Sequence, residues 1–320
     1  MLKLLLRRLG ISAAQLIALT LCVFALSSIM PGDALTGRIA PNITGERLAE
    51  LRALMGMDAP WVQRYARWIL GAFRGDFGIS YTHQVAVTAL VRDKAVNTLF
   101  LGLCSLILCY LIAVPLGAVA GRYAGRAPDK AVSAMAYALM SAPQMAIGLI
   151  VLFLFCYALH WFPIGGSVGV AVTGGFFAHA ADRLWRVFLP ALSSALFNVP
   201  PLVLLLRTEI IAAERSAFIG ALKARGIDPR RLFYRHTLRN SLIPLASTAG
   251  ELIAALLSGV VLVEMVFSYP GMGKLFVDSV LKRDYPTVNF LILIFGVLAI
   301  LGALASDLLL NRLDPRIKVR

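Results

Sequence analysis

Three acidic side chains fall inside long apolar runs of this 320-residue chain: Glu251, Glu264 and Asp307. Placing a central Asp in hydrocarbon costs about 2.5–3.5 kcal/mol on insertion scales, so such groups face a bundle interior or an aqueous path. Glu251 lies deepest, and either lines a pathway or meets a second membrane subunit. Glu264 and Asp307 lie near the ends of their runs, where anchoring at the interface is the simpler reading. A proton relay would need several linked acids or histidines, and none of His83, His160, His179 and His236 falls centrally in an apolar run. The cysteines Cys22, Cys104, Cys109 and Cys156 form no CxxC pair and no Cys/His set with metal-type spacing. Ser268-Tyr269-Pro270-Gly271-Met272-Gly273-Lys274-Leu275 is the nearest approach to a phosphate-binding loop. It lacks the first glycine, replaced by Ser268, and the magnesium-binding hydroxyl, replaced by Leu275. No Ser/His/Asp set can be placed at one depth, so these residues point away from covalent catalysis and from ATP hydrolysis on this chain.

The elements that must carry these residues are membrane helices. Hydrophobic residues make up 59% of the chain and charged residues 15%, against about 45–50% and about 25% in soluble domains. Crossing about 30 Å of hydrocarbon at about 1.5 Å per residue takes about 20 apolar residues. Six stretches suffice: Leu9 to Met30, Leu99 to Ala120, Ala131 to Leu159, Val187 to Leu206, Leu242 to Phe267 and Val288 to Leu310. The first follows Lys3, Arg7 and Arg8, as a secretory signal would, but it exceeds the roughly 7–15 residues of a signal core and ends without a small-x-small cleavage site. It reads as a retained helix.

With a cytosolic N-terminus, 18 of the 31 basic residues fall in the inner segments beside five acids, a net +13 inside against +4 outside. That is the positive-inside distribution, so the formal charge of +14 is mainly a topology signal rather than a nucleic-acid surface. Two spans depart from plain apolar helix, at Pro143-Gln144 and at Asn198 with Pro200-Pro201. A proline frees a backbone carbonyl that protein or a cavity must satisfy. These positions are either hinge and pathway residues or simple kinks, the kink being the plainer reading.

Outside the spans, residues 31–96 form the one long polar segment. Leu48, Leu51 and Met55 repeat at helical spacing up to Gly56, and Asp58 is placed to cap a second helix carrying Trp61, Tyr65 and Trp68 on one face. That face is an aromatic belt at the membrane surface or, on the sharper reading, a landing site for an extracytoplasmic partner. The inner loop 207–240 is richer still. Arg207 to Arg225 reads as a helix with an apolar stripe of Ala217, Phe218, Ala221 and Leu222 flanked by Arg215, Lys223 and Arg225. Gly226 suits the left-handed position that ends a helix, and Asp228-Pro229 supplies an N-cap and first-turn proline for a basic helix holding Arg230, Arg231, Arg235 and Arg239. A positive-inside loop needs only charge; a short amphipathic helix suits a groove on a cytosolic protein.

Ala217-Phe218-Ile219-Gly220-Ala221-Leu222-Lys223-Ala224-Arg225-Gly226, followed by Arg235-His236-Thr237-Leu238-Arg239-Asn240-Ser241-Leu242-Ile243-Pro244, resembles the cytoplasmic loop of binding-protein-dependent ABC transporter permeases. The likeness is strongest to the dipeptide, oligopeptide and nickel branch. Other stretches agree in order along the chain: Leu6 to Leu9, Met30 to Asp33, Gly75 to Gly78, Asn97-Thr98, Val263 to Gly273, Arg283 to Pro286 and Leu313 to Arg316. One departure stands out. The wider superfamily has Glu-Ala-Ala six residues before its glycine where this chain has Gly220-Ala221-Leu222; peptide-branch members commonly lack that glutamate too, so the resemblance stands but no glutamate-mediated contact carries over.

The resemblance implies an all-α integral membrane protein with the six-helix type I ABC importer permease (MetI-like) fold. Its parts would be residues 1–30 as inner N-terminus and first span, a helical extracytoplasmic segment at 31–96, and a five-helix core at 97–320. Ser216 to Gly226 would be the coupling helix, seated in an ATP-binding subunit. The implied partners are a second homologous permease, two ATPases and an extracytoplasmic solute-binding protein, with ATP and Mg on the ATPases and no cofactor on this chain. The implied location is a bacterial inner membrane with both termini cytoplasmic. Pro143, Gln144, Asn198, Pro200 and Glu251 are the pathway or hinge candidates. The rival reading is an ion-coupled secondary transporter or channel that works without an ATPase.

Overall fold

The computed structural model describes residues 2–29, 59–169, 175–248 and 260–313. In chain order the helices are α1 (Leu2–Ile29), α2 (Trp61–Phe73), α3 (Val87–Arg122), α4 (Ala127–Ser141), α5 (Gln144–Leu152), α6 (Phe176–Glu214), α7 (Ala217–Ala224), α8 (Pro229–Leu232), α9 (Leu238–Ser247), α10 (Val261–Val266), α11 (Met272–Leu281) and α12 (Tyr285–Leu313). Two π-helical turns extend this set, Phe153–Ala158 after α5 and Phe233–Thr237 between α8 and α9. Among the described residues the only strand-like pairing is an isolated bridge between Ile79 and Ala86.

The chain divides into two compact units, Met1–Val96 with Gly271–Ile300, and Asn97–Pro270 with Leu301–Arg320. In the first unit, α2 lies against α1. The Tyr65 hydroxyl is 3.1 Å from Thr20 Oγ1 and donates to the Ile17 carbonyl at 3.3 Å, and both Tyr65 and Trp68 pack on Phe24. This corrects the expectation for the aromatic face: Tyr65 and Trp68 are taken up by the chain's own first helix, and Trp61 is left exposed. Pro60, not Asp58, occupies the N-cap of α2, because the helix starts one residue after the proline. A core of Val87, Val91, Met272, Leu275, Phe290 and Leu291 is capped by Phe77, whose ring packs tilted by 45° against Phe290 at 4.2 Å between centroids. Beside it the buried Asp284 carboxylate accepts hydrogen bonds from the Ser80 hydroxyl and from the Tyr81 and Thr82 backbone N–H groups.

In the second unit α6 is the spine against which α4, α5, α9 and α10 pack. Gly117 and Gly121 of α3 lie where an added Cβ would meet Leu206 at 3.0 Å and Ile210 at 2.7 Å. Small residues four apart let membrane helices approach closely when no water-driven force holds them together. Two apolar cores result, one around Leu101, Val187, Leu189 and Phe267, the other around Val199, Leu202, Val203 and Leu206.

The prolines act differently from one another. The expected single helix from Ala131 to Leu159 is two helices bent by 104° between Ser141 and Gln144. Pro143 forces the residue before it out of the helical region, and Ala142 is extended at φ −86°, ψ 135°. In contrast, α6 runs unbroken through Pro190, Pro200 and Pro201, well beyond the expected Val187 to Leu206. α3, α6 and Tyr285–Ala305 of α12 are each long and apolar enough to cross a membrane, and the bent pair adds a fourth if it crosses as one. α1 contributes the apolar run Gly10–Leu26. Of the expected fifth span, α9 and α10 are the described flanks.

Candidate functional site

The loop at 207–240 is built by capping. α6 ends at Glu214, and the expected helix from Arg207 to Arg225 is broken at Arg215-Ser216. Ser216 makes the break: its hydroxyl donates to the Ala213 carbonyl at 2.7 Å and accepts from the Ile219 N–H at 3.4 Å. A serine side chain offers backbone groups an alternative to the helical ladder and is favoured at N-caps for that reason. α7 then runs Ala217–Ala224, with Arg225 as C-cap and Gly226 at φ +74°. The Gly226 N–H donates to the Lys223 carbonyl at 3.0 Å. Asp228 caps the next helix through the N–H groups of Arg230 and Arg231, with Pro229 in its first turn. The chain from Pro229 to Ser247 continues through α8, the π turn and α9.

Of the predicted coupling residues, only Ile219 is buried, at 1% exposed, and it anchors α7 to the body. Phe218 is 52% exposed, its ring edge-on to His236 at 6.2 Å. Leu222 and Ser216 are half-buried; Ala217, Gly220, Ala221, Lys223, Ala224, Arg225 and Gly226 are exposed. A Cβ added at Gly220 would meet nothing within 4 Å. Among the described residues, its glycine therefore serves no packing need. The helix presents Phe218, Ala217 and Ala221 outward between basic neighbours.

Polar links tie this helix to the long elements. Glu214, the last residue of α6, accepts from Lys223 Nζ of α7 at 2.9 Å and from the buried Thr237 hydroxyl of the π turn at 3.1 Å. Next to it, Arg207 of α6 donates to Asp129 of α4 through Nη2 at 2.8 Å, and Gly125 N–H and Ser133 Oγ complete the carboxylate's partners. Asp129 lies two residues before the apolar run, and the Arg207 guanidinium holds its carboxyl well below the usual carboxylate range. Arg122, closing α3, sits over the rings of Phe233 at 4.9 Å and Tyr234 at 5.4 Å. Two of the basic residues counted as inner charge, Arg122 at the end of α3 and Arg207 in α6, are fasteners between elements. Their partners lie 78 or more residues away in sequence, beyond the reach of any local pattern.

The remaining candidates are not drawn together. Pro143 is exposed at the 104° bend and Gln144 opens α5. In α6, Asn198 Nδ2 donates to the Ser194 carbonyl of its own helix at 2.8 Å, and Pro200 is buried in a core. Glu251 lies outside the described residues. Glu264 departs from the interfacial reading: it is fully buried, accepting from Thr98 Oγ1 at 2.6 Å while the Tyr269 N–H bonds to its backbone carbonyl at 2.8 Å. Alongside, Asn97 Nδ2 donates to the Pro270 carbonyl at 3.0 Å and Arg183 donates to Asn97 Oδ1 at 3.1 Å. Asn97-Thr98 and the stretch from Glu264 to Pro270 are thus two halves of one hydrogen-bonded clasp. Gly271 is the N-cap of α11.

Residues 113–319 match the family model described as binding-protein-dependent transport system inner membrane component, and residues 1–102 match its N-terminal companion. The chain belongs to this permease family. The permease is 30% identical over 313 residues to the oligopeptide transport system permease protein AppB of Bacillus subtilis (strain 168), with 98% of each chain covered. It is also 30% identical over 338 residues to the dipeptide transport system permease protein DppB of Escherichia coli (strain K12), with 99% of each covered. Among solved structures it is similar to the MetNI methionine ABC transporter in inward-facing conformations, at a TM-score of 0.56 and 16% identity over 71% of this chain and 97% of that one. That likeness shows the fold, which is the expected MetI-like one. The permease is therefore a multi-pass membrane transport subunit, and its family favours the binding-protein-dependent reading over an ion-coupled transporter acting alone.

Proposed function

We propose that this permease is the membrane-spanning subunit of an ATP-driven importer of peptides, with α7 docking in a cleft of an ATP-binding subunit. The observation that carries the reading is a helix fixed at both ends by caps and by one buried residue, Ile219, while Ala217, Phe218 and Ala221 face outward. Order without burial is what a preformed docking helix requires, because the ordering entropy is met before the partner arrives. The relatives' names supply the substrate class, dipeptides and oligopeptides.

In this account the six apolar stretches are six spans, both termini are cytoplasmic and residues 31–96 lie outside. The charge distribution supports that orientation. The complex would comprise a second homologous permease, two ATP-binding subunits carrying ATP and Mg, and an extracytoplasmic solute-binding protein. Displacement of α7 would pass through Glu214 to α6 and through Thr237 to α9, shifting a two-state assembly between inward-open and outward-open forms. The bend at Pro143-Gln144 would be the flexible joint, with Asn198, Pro200 and Glu251 near the path.

Reconstitution tests the reading. Proteoliposomes holding the permease, its permease partner and both ATPases should take up a labelled dipeptide only with ATP and the solute-binding protein. Uptake driven by an ion gradient without ATPase would overturn it.

A further inference from the structure

The first unit holds a cavity of about 630 Å³ that the transport account leaves unused. It lies within the usual range for small-molecule sites, about 300–1,000 Å³. Its wall combines Arg64, Arg67 and Trp68 of α2 with Tyr285 and Asn289 at the start of α12, and Asp76 on the intervening loop. Gly71, on the same wall, is where a Cβ would strike the Asp76 carbonyl at 2.7 Å, so the loop is pressed close to α2.

Among the described residues, Trp68 Nε1, the Tyr285 hydroxyl and Asn289 Oδ1 on this wall are buried and have no hydrogen-bond partner. Asn289 is only 5% exposed. Leaving a buried polar group unpaired costs about 1–3 kcal/mol, and such groups are ordinarily satisfied by protein, water or a ligand. A cavity wall with two guanidinium groups, one carboxylate and several donors suits a ligand with a phosphate and hydroxyls.

The helix that provides the arginines also says what kind of molecule brings them. Val62, Leu70 and Phe73 form an exposed apolar face on α2, Phe73 being 87% exposed. At about 100° per residue, Arg67 borders this face beside Leu70, Arg64 lies about 60° further round on the cavity wall, and Tyr65 and Trp68 face α1. An amphipathic helix with a basic residue bordering its apolar face lies in the plane of a membrane interface, at headgroup depth. We infer that this cavity binds the headgroup of an anionic phospholipid, its phosphate on Arg64 and Arg67 and its polar headgroup atoms on Asn289, Tyr285 and Trp68. Its acyl chains would run along Val62, Leu70 and Phe73. Either leaflet would serve, so the inference stands independently of the proposed orientation and of the importer reading.

The test titrates dioctanoyl phosphatidylglycerol into the purified full-length permease in mild detergent and counts bound lipid by native mass spectrometry. Phosphatidylethanolamine, inorganic phosphate and a dipeptide serve as comparison ligands. One phosphatidylglycerol should bind in preference to phosphatidylethanolamine, and Arg64→Ala with Arg67→Ala should weaken it about tenfold, the loss of roughly one charge-assisted contact. Arg64→Lys with Arg67→Lys should restore most of that binding. Asn289→Leu removes a buried amide oxygen that has no partner among the described residues, so its thermal midpoint without lipid should be equal or higher while its lipid affinity falls; this variant guards against misfolding in the arginine pair. Equal binding of both lipids, unchanged binding in all variants, or equally effective displacement by phosphate or dipeptide would overturn the proposal.

Discussion

The clasps around Asp284 and Glu264 and the helix α7 are made of the same kinds of sequence feature, short motifs between apolar runs, yet the structure treats them in opposite ways. At Asp284 a fully buried carboxylate gathers a serine hydroxyl and two backbone N–H groups. At Glu264 another buried carboxylate takes the Thr98 hydroxyl. In α7 the caps are satisfied, Ile219 is buried, Leu222 is half-buried, and Ala217, Phe218, Gly220 and Ala221 are exposed. A motif whose polar groups are consumed inside the chain serves the fold. One that is held rigid while its apolar side chains remain outside serves a partner, and the contrast sorts the stretches that look alike in sequence.

The sharpest way to break the comparison on the buried side is Asp284→Ala. It strands three donors, and with about 1–3 kcal/mol for each buried unpaired group the loss approaches a typical domain's whole stability of about 5–15 kcal/mol. The yield of monodisperse protein after detergent extraction should fall severely; a normal yield and melting curve would show that the clasp is not structural. Arg207→Ala should come next, since removing one partner of a buried ion pair costs about 3–5 kcal/mol, moderated here because Arg207 is 30% exposed. A thermal melt reads that loss.

On the exposed side, Gly220→Gln should leave the melt unchanged or slightly higher, because nothing lies within 4 Å of its new Cβ and leaving glycine gains about 0.5–1 kcal/mol in a helix. If α7 docks in a cleft, the added side chain should nevertheless impair ATP-driven uptake. The smallest effect belongs to Lys223→Met. Its bond to Glu214 joins partly exposed side chains, 53% and 32% accessible, and such pairs contribute about 0–1 kcal/mol. A drop in stability larger than that would give the Glu214 link a weight the geometry does not.

What could be read from the sequence was local. Gly226 and Asp228 are legible because a cap is decided by residues within one turn, and the long apolar runs because hydrocarbon thickness sets their length; the break at Ser216 is not, since it falls inside the helix expected from Arg207 to Arg225. Proline behaviour was not. Pro143 breaks a helix and the Pro200-Pro201 pair does not, since the outcome depends on what packs around the freed carbonyls. Glu264 looked interfacial because its hydroxyl partner lies 166 residues away. Asp284, with partners more than 200 residues distant, showed no signal beyond its place in a short motif. The lining of the cavity beside α2 was invisible for the same reason, while α2 itself was anticipated from Trp61, Tyr65 and Trp68, although two of those three turn inward.

The most direct test of the central claim is Phe218→Asp, measured as ATPase co-purification with the permease at matched membrane levels. Phe218 is half-exposed, with its ring edge-on to that of His236, so the account predicts normal insertion and an unchanged melt with the ATPase lost from the complex. Undiminished ATPase recovery with undiminished ATP-driven uptake would contradict it.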